Sequence, residues 1–220
     1  MKPIISSVSI VLFAAILTLL TASPASAGGV VTDCTTYGPG PGTLATAVET
    51  DGLVTFACSG TIVVRDEIPV PDRHLAIDGS GQTVILSGGN QNRLFNVGAG
   101  SSLQLYKVTL TNGNSGSNGG GAISSAGHLT ITNSALLSNT AAYGGALEIY
   151  NGSALIQNTT FAGNQALDPT ENGGAINLYF NFGDGNNNPN ENPNVVIQNN
   201  TSAYNTAATP GTAGVWQENG

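Results

Sequence analysis

Short runs of alternating apolar and polar residues recur along most of this chain. Four eleven-residue segments align in register, beginning at Leu103 (LQLYKVTLTNG), Leu129 (LTITNSALLSN), Ala154 (ALIQNTTFAGN) and Val195 (VVIQNNTSAYN). Their first and third positions are apolar in every copy, which is typical of a strand with one buried face. The offsets between copies are 26, 25 and 41 residues, and the longest offset contains an insertion at 181–194. A weaker copy begins at Leu75 (LAIDGSG).

A glycine-pair motif precedes the repeated strand in each coil. It reads GGAI at Gly120, GGAL at Gly144 and GGAI at Gly173, and a degraded form, TAGV, starts at Thr212. Glycine pairs permit tight corners and a close approach of two backbones, and the residues that follow begin a strand. Each repeat therefore offers two or three short strands.

A strand repeat of about 25 residues favours a stacked solenoid, because helical-pair repeats and propeller blades need longer periods. The sequence predicts an all-β, right-handed, single-stranded parallel β-helix with one continuous apolar core. A short amphipathic helix at 42–50 is predicted to cap the first coil. The sequence shows no cap after the last repeat, and a truncated chain, a fragment or a partner that covers the last coil would each account for this.

Asparagine recurs at the fifth and eleventh positions of the last three copies. The two columns are Asn133, Asn158 and Asn199, and Asn139, Asn164 and Asn205. In stacked coils we expect both columns to form internal or corner ladders in which each amide bonds to the next coil. This structural role is favoured over ligand binding.

The first 27 residues have the pattern of a secretory signal peptide. Lys2 precedes a predominantly apolar stretch at 8–20, and Ala25-Ser26-Ala27 forms a small-residue cleavage site. An uncleaved membrane anchor is the alternative, but the apolar stretch is short for a bilayer span. We predict a secreted or cell-surface protein with no membrane span after cleavage. An N-terminal cap region is predicted at 28–60 and β-helix coils at 61–220.

Cys34 and Cys58 are the only cysteines. An even pair in a secreted chain favours a disulfide bond, which would pin the N-terminal cap. A metal site is the alternative, and the lack of a neighbouring histidine argues against it.

The chain is acidic, with 13 Asp and Glu against 5 Lys and Arg and a net charge of −8. No Lys or Arg follows Lys107, so half of the chain lacks the basic patch that nucleic acid or an anionic membrane requires. Its polar surface is mostly Asn, Thr, Ser and Gly. We therefore expect an extracellular or cell-surface partner, either a glycan or a protein.

The carboxylates are scattered and form no recognisable catalytic set. The best candidate cluster joins Arg65-Asp66-Glu67 to Asp72-Arg73-His74, and its ordinary interpretation is a solvated edge strand and turn. Asp78 is interpreted as a turn residue before Gly79. His128 has no partner in the sequence and is interpreted as a surface or turn histidine. We predict no catalytic, cofactor-binding or metal-ligating residue and no cofactor.

The insertion at 181–194 resembles a calcium loop in part. Oxygen-bearing residues alternate there as calcium ligands would, with Glu191 nearby: Asp184, Asn186, Asn188 and Asn190. However, Pro189 stands where a calcium-hand loop requires glycine, and the glutamate of the twelfth position is missing. A flexible polar loop is the favoured interpretation.

Aromatic residues could form a sugar-stacking stripe on one face. The candidates are Trp216, Tyr143, Tyr150 and Tyr179. Because the tyrosine spacing follows the repeat, ladder packing between coils is the favoured interpretation.

The repeats resemble those of polymorphic outer-membrane proteins, in which GGA[IL] is paired with Phe-x-x-Asn. Here Gly144–Leu147 is paired with Phe161–Asn164, whereas Ser202 stands where that family prefers Phe. The N-terminal half resembles secreted pectin-lyase-like β-helix proteins through 42–48 (GTLATAV) and Ile77-Asp78-Gly79. The resemblance covers residues 42–220 and implies a β-helix with an adhesive role.

Three functions follow as hypotheses. The first is a non-catalytic solenoid that acts in adhesion or as a scaffold. The second is a carbohydrate-active enzyme, favoured if Asp and Arg side chains from successive coils converge in one groove. The third is a calcium-dependent binding module centred on 181–194.

Overall fold

A computed structural model describes residues 29–49, 52–169, 173–180 and 194–208, together with the backbone of 215–219. In this part of the chain the fold is an all-β parallel solenoid of about six coils with almost no helix. The predicted signal peptide lies outside the described residues.

The first elements are a short strand, Val30–Val31 (β1), and a single helical turn, Leu44–Ala47 (α1). The first three coils contain Gly52–Phe56 (β2), Gly60–Val63 (β3) and Ile68–Val70 (β4); His74–Asp78 (β5), Val84–Ser87 (β6) and Phe95–Val97 (β7); and Ser102–Tyr106 (β8), Val108–Thr111 (β9) and Ile123–Ser125 (β10). The last three contain His128–Thr132 (β11), Ala135–Leu137 (β12), Thr140–Ala141 (β13) and Leu147–Tyr150 (β14); Ser153–Gln157 (β15), Thr160–Ala162 (β16), Gln165–Ala166 (β17) and Ile176–Phe180 (β18); and Val195–Gln198 (β19), Thr201–Ala203 (β20), Thr206–Ala207 (β21) and Val215–Asn219 (β22).

These strands stack into four parallel sheets, which form the faces of the solenoid. Sheet 1 has the order β1-β2-β5-β8-β11-β15-β19, and sheet 2 the order β3-β6-β9-β12-β16-β20. Sheet 3 has the order β4-β7-β10-β14-β18-β22, and the smaller sheet 4 contains β13, β17 and β21. Each coil therefore visits sheets 1, 2 and 3 in turn, and the last three coils also visit sheet 4.

The repeat register predicted from the sequence is confirmed. Leu129 pairs with Leu103 on one side and Ala154 on the other, and Ala154 pairs with Val195 across the long insertion. The weak copy also aligns, since Leu75 pairs with Leu103. A slip of one residue would turn each apolar set to solvent, so burial fixes this register.

The glycine-pair motif aligns in the same way, including its degraded copy. Ile123 pairs with Leu147, and Ile176 pairs with both Leu147 and Val215. Gly144 has a φ of +55°, and a Cβ on Gly145 would lie 2.4 Å from the Gly174 carbonyl oxygen. The first glycine of the pair makes the corner, and the second lets neighbouring coils approach closely.

The two asparagine columns have different roles. Asn139, Asn164 and Asn205 form the predicted internal ladder, in which Nδ2 of Asn139 donates to Oδ1 of Asn164 at 3.0 Å. Nδ2 of Asn164 donates in turn to Oδ1 of Asn205 at 2.9 Å. We call this column the asparagine ladder.

The other column turns the corner between sheets 1 and 2. Asn133, Asn158 and Asn199 have φ values of 52°, 51° and 54°, a left-handed conformation that asparagine tolerates better than most residues. This backbone conformation accounts for the recurrence of asparagine in this column, for which the sequence had predicted a ladder.

The N-terminal region is joined to the solenoid by a disulfide. Cys34 and Cys58 are bonded as predicted, with their Cα atoms 5.8 Å apart. The helix is shorter than the predicted 42–50, because Gly42 has a φ of +77° and the Thr43 side chain caps the turn by accepting from the Thr46 amide. Leu44 and Ala47 are buried in the apolar core.

Candidate functional site

The structure divides the candidate cluster at 65–67 and 72–74 among several places. Asp66 is exposed beside Tyr37, whose pKa is raised by burial and, to a smaller degree, by the Asp66 charge. Asp72 is an exposed corner residue with a φ of +47°. The six residues therefore do not converge on one groove.

Arg73 connects the N-terminal helix to the first coil. Its guanidinium donates to the carbonyl oxygens of Val48 and Pro69. Because both acceptors are backbone groups within the protein, these contacts give Arg73 a structural role.

Glu67 instead belongs to a second cluster, which the sequence did not reveal. Its Oε2 accepts a hydrogen bond from Arg93 Nη1 at 2.9 Å, and its Oε1 accepts one from Asn96 Nδ2 at 3.0 Å. Arg93 also donates to the carbonyl oxygens of Gly119 and Gly120, at 2.9 and 3.0 Å. Arg93 thus links three consecutive coils.

A cleft of about 360 Å³ lies beside this ion pair. It is lined by Glu67, Gln91, Asn92, Arg93, Asn114, Ser115, Gly116 and Asn118, and we call it the polar cleft. The corner between sheets 2 and 3 spans 64–67 in the first coil, 88–94 in the second and 112–122 in the third. Because this connection lengthens from coil to coil, the coils form a step instead of a flat face.

The floor of the polar cleft is held by hydrogen bonds between its own loops. The Asn114 amide N–H donates to the Asn92 carbonyl at 3.0 Å, and Asn114 Nδ2 donates to the Asn90 carbonyl at 3.1 Å. Gln91 and Asn118 are exposed at the mouth. The cleft therefore combines a fixed floor with amide groups that face solvent.

A row of polar side chains continues from Arg93 along sheet 3. It consists of Asn96, Ser124, Glu148 and Asn177, which occupy paired positions on successive strands. We call it the sheet 3 polar row. Its first members are accessible, whereas Glu148 and Asn177 are only 8% and 1% exposed.

Glu148 is the buried titratable group in this row. Burial raises the pKa of its carboxyl group, while a hydrogen bond from Ser124 and the positive charge of Arg93 act in the opposite direction. The Ser124 hydroxyl donates to Glu148 Oε2 at 2.8 Å. Desolvation is the largest contribution, so the environment favours the protonated carboxyl.

The remaining histidine and aspartate candidates have local partners. Asp78 accepts from the Ser80 amide at 2.8 Å, which confirms its turn role. His128 is exposed at the start of β11, and its ring contacts the Ser153 hydroxyl on the next coil. His74 contacts Ser102 in the same way, and the four residues form one column of sheet 1.

Two of the three candidate tyrosines pack against each other, as the prediction of ladder packing requires. The rings of Tyr150 and Tyr179 stack with centroids 5.1 Å apart and nearly parallel planes. Tyr143 lies apart from them beside Gly119. The Trp216 side chain is outside the described residues, as is the candidate calcium loop apart from Asn194.

Within the described ranges, no group of three or more His, Cys, Asp or Glu side chains is placed to hold a metal ion. In the same ranges, no helix has the length and apolar character that a membrane span requires.

Sequence reasoning missed Arg93 and Glu148 because they lie 55 residues apart and fit no motif. One signal was available for Glu148. In the register of the glycine-pair motif, Glu148 aligns with Ser124 and Asn177, and a carboxylate between a hydroxyl and an amide interrupts a neutral column.

Comparisons with known proteins complete the description of this site. No protein-family model, curated protein or solved structure matches the chain. The family resemblance therefore rests on the repeat residues themselves.

Proposed function

We propose that this chain is a secreted or cell-surface solenoid without a catalytic role, which acts in adhesion or scaffolding by binding an extracellular glycan in the polar cleft. The resemblance to polymorphic outer-membrane protein repeats supports an adhesive role of this kind. The signal-peptide pattern supports the location.

The observation that carries the proposal is the chemistry of the cleft lining. Amide groups each offer both donors and acceptors, which suits sugar hydroxyls that also donate and accept. Four amide side chains line the cleft. Asn92 and Asn114 also bond to neighbouring loops, whereas Gln91 and Asn118 are exposed to solvent. A volume of about 360 Å³ falls within the range of small-ligand sites.

The charge of the cleft favours a neutral glycan over an anionic one. Arg93 is the only cation in the lining, and it already bonds to Glu67 and to two backbone carbonyls. Its side chain is 11% exposed. An anionic sugar would have to compete with Glu67 for a guanidinium that is already largely buried.

A glycan array probed with the mature protein tests this proposal. We expect binding to neutral oligosaccharides that weakens in the Gln91→Ala variant and is retained in Gln104→Ala, a matched change on exposed sheet 1. Glycan binding that is unchanged in Gln91→Ala would contradict the proposal, as would capture of proteins without any glycan signal.

A carbohydrate-active enzyme is the second candidate, favoured by one specific observation. Arg93 bonds to Glu67 and acts electrostatically on Glu148, and these three residues come from three different coils. Glycosidases use two carboxyl groups, one of which has a raised pKa. However, Glu148 is buried against Ser124 and is not part of the cleft lining.

Incubation with plant, algal and bacterial polysaccharides, with and without Ca²⁺, separates the two candidates. The binding proposal predicts no products by mass spectrometry from folded protein. Defined products that disappear in Glu148→Gln and Glu67→Gln would establish the enzyme instead.

A further inference from the structure

The outer face of sheet 3 carries a short stack of two tyrosine rings. Tyr150 on β14 and Tyr179 on β18 occupy paired positions, and their ring planes are 4° apart with centroids separated by 5.1 Å. That separation is close to the distance of about 4.7–4.9 Å between neighbouring strands, so the stack runs along the solenoid axis. Each ring therefore has a second face that the other ring does not cover.

The free face of the Tyr150 ring is turned towards the third coil, where its column contains an alanine. Ser125 pairs with Ile149, so Ala126 lies in register with Tyr150. The Ala126 amide donates to the Val97 carbonyl at 2.8 Å, which keeps the ladder in register at this point. Alanine has no atom beyond Cβ, so this column leaves the outer part of the ring uncovered, and Tyr150 is 43% exposed.

The open space in front of the ring extends over a second coil. Val97 pairs with Ser125, so Gly98 is the next member of the column after Ala126. A Cβ on Gly98 would meet no atom closer than 3.6 Å. Two coils therefore form a low floor, and the Tyr150 ring stands at its end as a wall. We call this surface, made by Gly98, Ala126 and the free face of Tyr150, the tyrosine platform.

The tyrosine platform is continuous with the polar cleft. Asn96 lies two residues before Gly98 on the same face, and its Nδ2 donates at 3.0 Å to Oε1 of Glu67, which lines the cleft. Asn96 is also exposed, and its amide offers an acceptor as well as a donor to a ligand that lies over sheet 3. At about 3.3 Å per residue, the chain from Arg93 to Gly98 places the platform about 16 Å from the cleft. A ligand that reaches both must therefore be an oligomer.

We propose that Tyr150 is a stacking subsite for the neutral glycan of the polar cleft, and that one sugar ring packs on its free face above Ala126. This inference rests on the proposed function, because the same glycan occupies the cleft. The face of an aromatic ring is apolar and electronegative, which suits the C–H groups on the flat side of a pyranose. Equatorial hydroxyl groups leave that side free, whereas an axial hydroxyl group interrupts it. The ligand class is therefore a chain of pyranoses whose hydroxyl groups are mostly equatorial.

Affinity for an array-selected oligosaccharide tests the stacking subsite. Tyr150→Ala removes the ring and should weaken binding about tenfold, whereas Tyr150→Phe keeps the aromatic face and should bind within about twofold of the wild type. Tyr204→Ala is the matched control, since it removes a tyrosine that is 90% exposed on the last coil. Equal affinities of the wild type and a folded Tyr150→Ala protein would overturn the proposal.

The Ala126→Leu variant separates glycan binding from the structural role of the tyrosine stack. It keeps both tyrosine rings but places an aliphatic side chain over the free face of Tyr150, where the sugar ring is proposed to lie. It should therefore lower the affinity about as much as Tyr150→Ala does, and its Tm should not fall. A folded Ala126→Leu protein that binds the glycan as the wild type does would contradict the subsite.

The length of the glycan distinguishes a failure of this subsite from a failure of the polar cleft. Short oligosaccharides that fill only the cleft should lose affinity in Gln91→Ala and not in Tyr150→Ala, whereas longer ones should lose affinity in both variants. If Gln91→Ala weakens binding at every length and Tyr150→Ala at none, the cleft binds the glycan and the stacking subsite is wrong. If only Tyr150→Ala weakens binding, the subsite stands and the assignment of the cleft is wrong. If no glycan binds to the wild type, both are wrong.

Discussion

The asparagine ladder and the sheet 3 polar row both stack buried polar side chains on successive coils, yet their hydrogen bonding differs. In the ladder, Asn164 bonds to Asn139, to Asn205 and to the Leu136 carbonyl. Each amide therefore satisfies hydrogen-bonding groups of the neighbouring coils. In the row, Glu148 accepts a hydrogen bond from Ser124, whereas Asn177 Oδ1 is buried without a hydrogen-bond partner.

The difference follows from repetition. A polar residue that recurs in every coil can satisfy its neighbours, because each copy offers the same donor and acceptor to the next. A polar residue that changes from coil to coil cannot. In a repeat protein, regular polar columns therefore indicate structure, and interruptions in them indicate a possible site.

The largest expected effect comes from breaking the ladder. Asn164→Leu should lower the free energy of unfolding by about 3–5 kcal/mol, because it leaves the buried Asn139 N–H and the Leu136 carbonyl without partners. Urea denaturation measures the loss. A loss below about 1 kcal/mol would show that the stability of the fold does not depend on the hydrogen bonds of the ladder.

The second-largest loss of stability is expected from breaking the hydrogen bonds of Arg93 beside the polar cleft. Arg93→Lys keeps the charge but loses the planar fork that reaches Glu67 and two carbonyls. We expect a loss of about 1–2 kcal/mol by urea denaturation. Arg65→Lys, at an exposed position, should cost less than about 0.5 kcal/mol, and equal losses would contradict the role given to Arg93.

A substitution in the sheet 3 polar row is expected to have a smaller effect and to raise the stability of the protein. The pKa of Glu148 is raised in the folded state, so the folded protein holds its proton to higher pH than the unfolded chain does. The resulting stability is present at low pH and is lost as pH rises through the folded-state pKa. Glu148→Gln should remove this loss and stabilise the protein near neutral pH, and its advantage should fade at acidic pH.

Thermal melts across pH, with wild type and variant side by side, measure this dependence. Arg93, Ser124 and Tyr143 surround the carboxyl group, and of these only Arg93 carries a charge in that range. A variant that is less stable than the wild type at neutral pH would show that the charged carboxylate is favourable there.

The smallest effect sharpens the comparison between the two asparagine columns. Asn158→Gly should change the free energy of unfolding by less than about 0.5 kcal/mol, because glycine adopts a φ of +51° without strain. Asn158→Val should cost about 1–2 kcal/mol, since a β-branched residue is strained there. Similar costs for both variants would contradict the corner role.

Most of the fold could be predicted from the sequence because each apolar position repeats. The alignment of Leu103, Leu129, Ala154 and Val195 gave the register of sheet 1, and the glycine-pair motif gave that of sheet 3. The pairing of Ala154 with Val195 was predicted correctly across the 41-residue offset, because an insertion between coils leaves the pairing of the strands intact.

The candidate site could not be predicted in the same way. The contacts of Arg93 with Glu67 and Gly119 span 26 residues in each direction, and they depend on how far each corner loop extends. The length of the 112–122 connection is visible in the sequence, but its path is not. The residues of the candidate cluster at 65–67 and 72–74 do not converge, because neighbours in sequence point to different faces of a coil.

The central claim is that the polar cleft binds a neutral glycan, and affinity for an array-selected oligosaccharide tests it most directly. Calorimetric titration should show a loss of affinity of about fivefold or more in the Gln91→Ala/Asn118→Ala double variant, since each amide supplies about 0.5–1.5 kcal/mol. The Tm of this variant should not change, and the matched Gln104→Ala protein should bind as the wild type does. An unchanged affinity in the folded double variant would contradict the claim.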